Sequence, residues 1–132
     1  MTATRSYRVP AGKAAASAAR TLVSGALAAE VEQPLLDDVR LLVSELVTNS
    51  VLHAGVEEGG ELTLEVGVDD VLRVSVSDEG AGFAPDAAES EDIGGWGLLL
   101  VERLADRWGI VHDDATHVWF EIDRRSPRAA AA

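Results

Sequence analysis

Glu45, Asn49 and His53 follow one another at four-residue intervals in the segment LLVSELVTNSVLHA, residues 41–54. On a helix that spacing aligns them along one flank. Glu45 is the only charged residue of the segment, and apolar side chains border the flank, Leu41 and Leu52 on one side and Leu42 and Leu46 on the other. A carboxylate in such surroundings is costly unless a ligand, a metal, water or another polar group meets it. From the helix alone, a ligand site and a structural glutamate bonded to backbone or to an arginine stay equally open. A second acid, Asp78, opens Asp78-Glu79-Gly80-Ala81-Gly82-Phe83. It is in phase with Leu72, Val74 and Val76, so a strand would turn it toward the core, where it needs a donor. Gly80 and Gly82 permit a tight turn or the close approach of a ligand, although an Asp-capped turn accounts for these residues taken alone. A third group, Gly94-Gly95-Trp96-Gly97-Leu98, stands before an apolar helical pattern. Glycines there expose backbone N–H groups and the positive end of the helix dipole to an anion, or act only as a hinge.

The elements that must position these residues are legible from periodicity. Apolar residues at helical spacing predict helices over about 11–31, 35–54 and 97–108, with Pro34 opening the second. Strict alternation predicts strands at Glu61–Val68 and Val71–Asp78, joined by a tight turn at Val68-Asp69-Asp70-Val71. Shorter strands are expected near Ser6–Val9, Gly109–Asp113 and His117–Ile122, with Trp119 and Phe120 facing opposite sides. Leu98 to Leu100, Val101, Leu104 and Trp108 are expected as core residues of the third helix. Residues 79–95 form a long segment without periodicity, and a loop of that length is usually functional. The order β-α-α-β-β-loop-α-β-β predicts an α/β two-layer sandwich, with helices on one face of a mixed, mostly antiparallel sheet. A single domain over residues 1–132 is expected, with its core at about 6–123 and a disordered tail from Arg124.

Composition narrows the chemistry. The 132 residues carry 11 Lys plus Arg against 23 Asp plus Glu, for a net charge of −12. That balance disfavours phosphate backbones and anionic membrane surfaces, and is compatible with a basic protein partner. With no cysteine, disulfides, thiolate nucleophiles and Cys-based zinc sites are excluded. His53, His112 and His117 lack zinc spacing. Proline at the sixth position of Gly80-Ala81-Gly82-Phe83-Ala84-Pro85 removes a Rossmann fingerprint, and Lys13, the only lysine, lies in no phosphate loop. No membrane-length apolar run or signal-peptide pattern is present, so a cytoplasmic location is expected.

Taken in order, SELVTNSVLHAG, DEGAGFAP and GGWGLLLVERLADRWG resemble the N box, DxGxG box and second glycine box of the histidine-kinase-like (GHKL) ATPases. The likeness is to their bacterial anti-sigma-factor serine/threonine kinase branch, and it covers about residues 35–122. The resemblance implies the Bergerat-type ATP-binding fold, with ATP and Mg²⁺ as ligands. It implies Glu45 as general base, Asn49 as the Mg²⁺ ligand and Asp78 as acceptor for the adenine amino group. By the same likeness Gly80 and Gly82 shape the adenine pocket, Gly95, Gly97 and Leu98 offer N–H groups to the phosphates, and residues 83–94 form a lid over the nucleotide.

The partners so implied are a sigma factor, which the protein sequesters, and an anti-anti-sigma-type protein, which it phosphorylates. A homodimer through the first strand is suggested in the same way. Two positions depart from the pattern. Ile93 and Trp96 stand where relatives often carry a base, beside an acidic stretch from Asp86 to Asp92. His117 stands directly before the Val-Trp of the last strand, where a threonine is usual, with Thr116 one residue earlier. These departures motivate an alternative reading, a nucleotide-binding partner switch with little or no catalysis.

Overall fold

A computed structural model describes residues 3–53, 60–78, 99–112 and 116–124. The chain runs through β1 (Ala3–Pro10), α1 (Ala15–Leu27), α2 (Gln33–His53), β2 (Glu61–Val68), β3 (Val71–Asp78), α3 (Leu99–Leu104), β4 (Arg107–His112) and β5 (Thr116–Asp123). The strands form one sheet in the order β1-β2-β3-β5-β4. Every pairing among the described residues is antiparallel, where a mixed, mostly antiparallel sheet is expected from the sequence.

One sheet face is dry. Leu62, Leu64 and Val66 from β2, Leu72, Val74 and Val76 from β3, and Val118, Phe120 and Ile122 from β5 are all buried. They meet Ala15, Ala19, Val23 and Leu27 of α1 and Val39, Leu42, Val43, Leu46 and Val47 of α2 in one core. Truncating one of these leucines to alanine would cost about 2–5 kcal/mol, the removed transfer energy plus the cavity left behind.

Several boundaries move from their expected places, each for a local reason. β1 is eight residues long because it pairs along the whole of β2, from Ala3↔Val68 to Pro10↔Glu61. α1 starts only at Ala15 because Gly12 takes φ 142°, a conformation that interrupts a helix and suits glycine. α3 does not reach Trp108. The Asp106 amide donates to the Glu121 carbonyl at 2.9 Å and the Asp106 carboxylate accepts from the Asp123 amide at 2.6 Å, so β5 captures the chain for β4. Trp108 packs on the core from that strand, and its indole N–H donates to Glu102 at 2.6 Å. Within α3, Val101 is buried as expected, but Leu99 is 60% exposed. Arg124, expected in the tail, is held by the Glu30 carbonyl at 2.7 Å and the Asp69 carbonyl at 3.0 Å. Residues 125–132, the rest of that tail, lie outside the described residues.

The other sheet face carries side chains that bond to one another. Arg107 donates to Glu121 and Asp123, and Arg73 donates to Glu121. The Arg107 guanidinium holds the Glu121 carboxyl below its usual range, with help from Arg73, and does the same for Asp123. Arg73 also lies 4.6 Å over the Trp119 ring, and Gly109 sits directly opposite Trp119 in the β4–β5 register. Phe120 points into the core, so the two aromatics do face opposite sides.

A Cβ on Gly109 would meet Trp119 Cζ2 and Nε1 at 2.9 Å, whereas one on Gly25 in α1 meets nothing within 4 Å. Gly109→Ala is therefore expected to destabilise by about 1–3 kcal/mol through displacement of the indole, and Gly25→Ala to stabilise by roughly 0.5–1 kcal/mol; urea unfolding measures both. Separately, the depressed Glu121 and Asp123 carboxyls stabilise the fold above the ordinary carboxyl values of 4.5 and 3.8, and lose that contribution as pH falls through their folded-state values. The Tm advantage of wild type over Arg107→Gln, a few degrees for such exposed pairs, should be largest at neutral pH and close in acid. A difference that does not change between pH 7 and pH 3 would contradict the assignment.

Candidate functional site

α2 carries the first part of the site. Gln33 and Pro34 open the helix, and the Gln33 side-chain amide donates to Asp37 at 2.7 Å across one turn. Its buried stripe, Val39, Leu42, Val43, Leu46 and Val47, turns toward the sheet and α1. Arg20 of α1 reaches over to donate to the Ser44 hydroxyl at 2.9 Å, next to Glu45. Glu45 is half-buried at the edge of this stripe, and Asn49, one turn on, is 7% exposed.

The Asn49 Nδ2 group donates to the Glu45 carbonyl at 2.8 Å. With its amide nitrogen tied back to its own helix, Asn49 has Oδ1 as the end of the side chain that can accept or coordinate. An oxygen of this kind, beside a carboxylate, is a donor set suited to a hard cation such as Mg²⁺. Among the described residues no cluster of three or more His, Asp or Glu forms a metal centre by itself. A cation here would need further oxygens from a ligand or from water.

β3 and β5 supply the second part. Asp78 ends β3 on the core face and is 3% exposed, as strand parity requires. Its Oδ2 atom is buried and makes no hydrogen bond in the structure, while the residue is otherwise engaged by neighbours. Across the sheet, Ser77 is in register with His117. Continuing that register by one residue sets Thr116 against Asp78, and Thr116 is likewise 3% exposed.

The inward hydroxyl is thus Thr116, and His117 lies on the opposite face. The position directly before Val-Trp, where the family resemblance implies a threonine, therefore faces outward in this chain. The alternation Thr116, Val118, Phe120, Ile122, buried at every second position of β5, is the signal that identifies the inward residue.

The site residues expected from the glycine boxes, Gly80, Gly82, Gly95, Gly97 and Leu98, lie outside the described residues, as do the lid positions 83–94. The same holds for the His53 side chain. What the described residues bring together is an amide and a carboxylate on one helix flank, and a carboxyl and a hydroxyl on adjacent strand ends.

This fold and this ordered set of polar residues define an ATPase-type domain, and residues 9–122 match the model of the histidine kinase-like ATPase domain. The chain belongs to that family. It is similar to the serine-protein kinase RsbW of Listeria innocua, 35% identical over 127 residues, with 84% of this chain and 81% of that protein covered. The serine-protein kinase RsbW of Listeria monocytogenes serovar 1/2a is matched to the same extent. Among solved structures, the RsbU and RsbW domains of Rv1364c from Mycobacterium tuberculosis superpose with a TM-score of 0.72 at 22% identity. That match covers 96% of this chain and 34% of the larger one, and it shows a shared fold.

Proposed function

We propose that the protein is an ATP-dependent serine/threonine-protein kinase of the anti-sigma-factor type, which phosphorylates an anti-anti-sigma-type partner and sequesters a sigma factor. The observation that carries this reading is the 35% identity to serine-protein kinases across most of both chains. The placement of Glu45, Asn49 and Asp78 on elements that fit the family supports it.

In this reading Asp78 accepts a hydrogen bond from the exocyclic amine of adenine, with Thr116 beside it. Gly80 and Gly82 allow the base to approach, and Gly95, Gly97 and Leu98 direct N–H groups at the phosphates. Asn49 would hold Mg²⁺ through Oδ1, and the ion would supply positive charge against the phosphates.

Glu45, half-buried and on the same helix flank, is placed to take the proton of the partner's serine hydroxyl. The serine oxygen then bonds to the γ-phosphorus as the bond to the β–γ bridging oxygen breaks, and ADP leaves with that electron pair. The i, i+4 spacing keeps the two side chains on one flank, and the bond from Asn49 Nδ2 to the Glu45 backbone carbonyl orients the amide.

Net charge fits a protein substrate better than a nucleic-acid one, since −12 opposes a phosphate backbone. Among the described residues no helix is long and apolar enough to cross a membrane. A homodimer through β1 is part of the same proposal, supported by the position of that strand at one edge of the sheet. The sequence around Ile93 and Trp96, which lacks a base and follows an acidic run, favours a second reading in which nucleotide gates partner binding with little turnover.

A radiolabelled-ATP assay with a serine-bearing anti-anti-sigma partner separates the two, because transfer to the partner excludes the switch without catalysis. Glu45→Ala is expected to lower transfer by at least 10²-fold, the usual worth of a general base, while ATP affinity by calorimetry stays within about threefold. Asn49→Ala is expected to weaken binding in Mg²⁺ and leave the weak Mg²⁺-free binding unchanged. Transfer retained by Glu45→Ala would remove the base assignment.

A further inference from the structure

On the sheet face away from the helices, the Ser77 hydroxyl and His117 Nδ1 are 2.6 Å apart, a hydrogen bond between two half-buried side chains. Their strands carry, one residue further out and on the opposite face, the buried pair Asp78 and Thr116. Each member of that pair is braced from its own outer side. Asp78 is in register with Leu62 of β2, and Thr116 with His112 of β4. Between β3 and β5 themselves the described register ends at Ser77↔His117. Strand ends part at their last rung, and a cross-strand side-chain bond at that rung resists the parting.

We propose that Ser77 and His117 are a positioning pair for base recognition, a clasp on the open face that sets the separation of Asp78 and Thr116 on the closed one. The inference rests on the reading of Asp78 as the adenine acceptor given above. It gives a role to the outward-facing histidine directly before the Val-Trp of β5. The serine hydroxyl can donate or accept, so it pairs with Nδ1 in either imidazole tautomer.

The test is the affinity of the full chain for Mg-ATP and for Mg-GTP, measured by calorimetry beside the Tm of each variant. ATP and GTP share their phosphates, so their affinity ratio reports on the base contact and is insensitive to general loosening of the fold. His117→Ala and Ser77→Ala are each expected to weaken ATP by about three- to fivefold, the worth of one cross-strand pair. GTP binding should hold, and the double variant should be no worse than either single one. Ser77→Thr keeps the hydroxyl and the strand preference, and is expected to retain the wild-type ratio.

A wild-type ratio in both alanine variants, with the ratio collapsed in Asp78→Asn, would overturn the clasp and leave the adenine reading standing. A narrowed ratio in Ser77→Thr would also overturn it. A wild-type protein with no preference for ATP over GTP would remove the adenine reading itself, and the clasp with it.

Discussion

A β-strand has a period of two, and a sheet covered by helices on one side has only one dry face. That constraint decides where the polar residues of this protein go. Leu72, Val74 and Val76 commit β3 to the core, so Asp78, the next residue in phase, is buried with them. Val118, Phe120 and Ile122 commit β5 in the same way and carry Thr116 inward. A carboxyl and a hydroxyl are thereby held inside a hydrophobic layer by residues that do nothing but pack. Burial of such groups costs free energy, and the surrounding apolar contacts offset it. The arrangement is one in which stability elsewhere supports a polar site.

α2 solves the complementary problem. Its buried stripe fixes the rotation of the helix, and with it the flank on which Glu45 and Asn49 lie. The backbone tie from Asn49 to the Glu45 carbonyl orients the amide without using another side chain. Arg20 bonded to Ser44 joins α1 to the same turn. The two halves of the site therefore belong to different layers, helix and sheet, and the core between the layers sets their spacing.

Much of this was legible in the residues because the chemistry-bearing positions lie in strongly periodic segments. The alternation in β2 and β3 is uninterrupted, and both strands have the expected limits. Asp78 was placed inward by the same parity that the structure shows. Where the reading slipped, a partner strand overrode local pattern. The length of β1 is set by β2. Trp108 continues a helical spacing by coincidence, and its true element is set by β5 through Asp106. The exposure of Leu99 is hidden in the sequence because the run Leu98-Leu99-Leu100-Val101, three leucines and a valine, contains no polar residue to mark the solvent side. The position before the Val-Trp pair does not show by itself which residue is inward; the alternation of the whole strand marks Thr116. The glycine boxes, readable as motifs, belong to residues that the structure does not describe.

The bonds that Arg124 makes to Glu30 and Asp69 have an architectural consequence. Asp123 pairs with Val71, the first residue of β3, while the polar site lies at the last, Asp78. Seven strand steps separate the two, roughly 23 Å at about 3.3 Å per residue. Arg124 is therefore anchored at the end of the sheet far from Asp78 and Thr116. A pull applied at that anchor would enter the sheet away from the strand ends that carry the two buried polar residues.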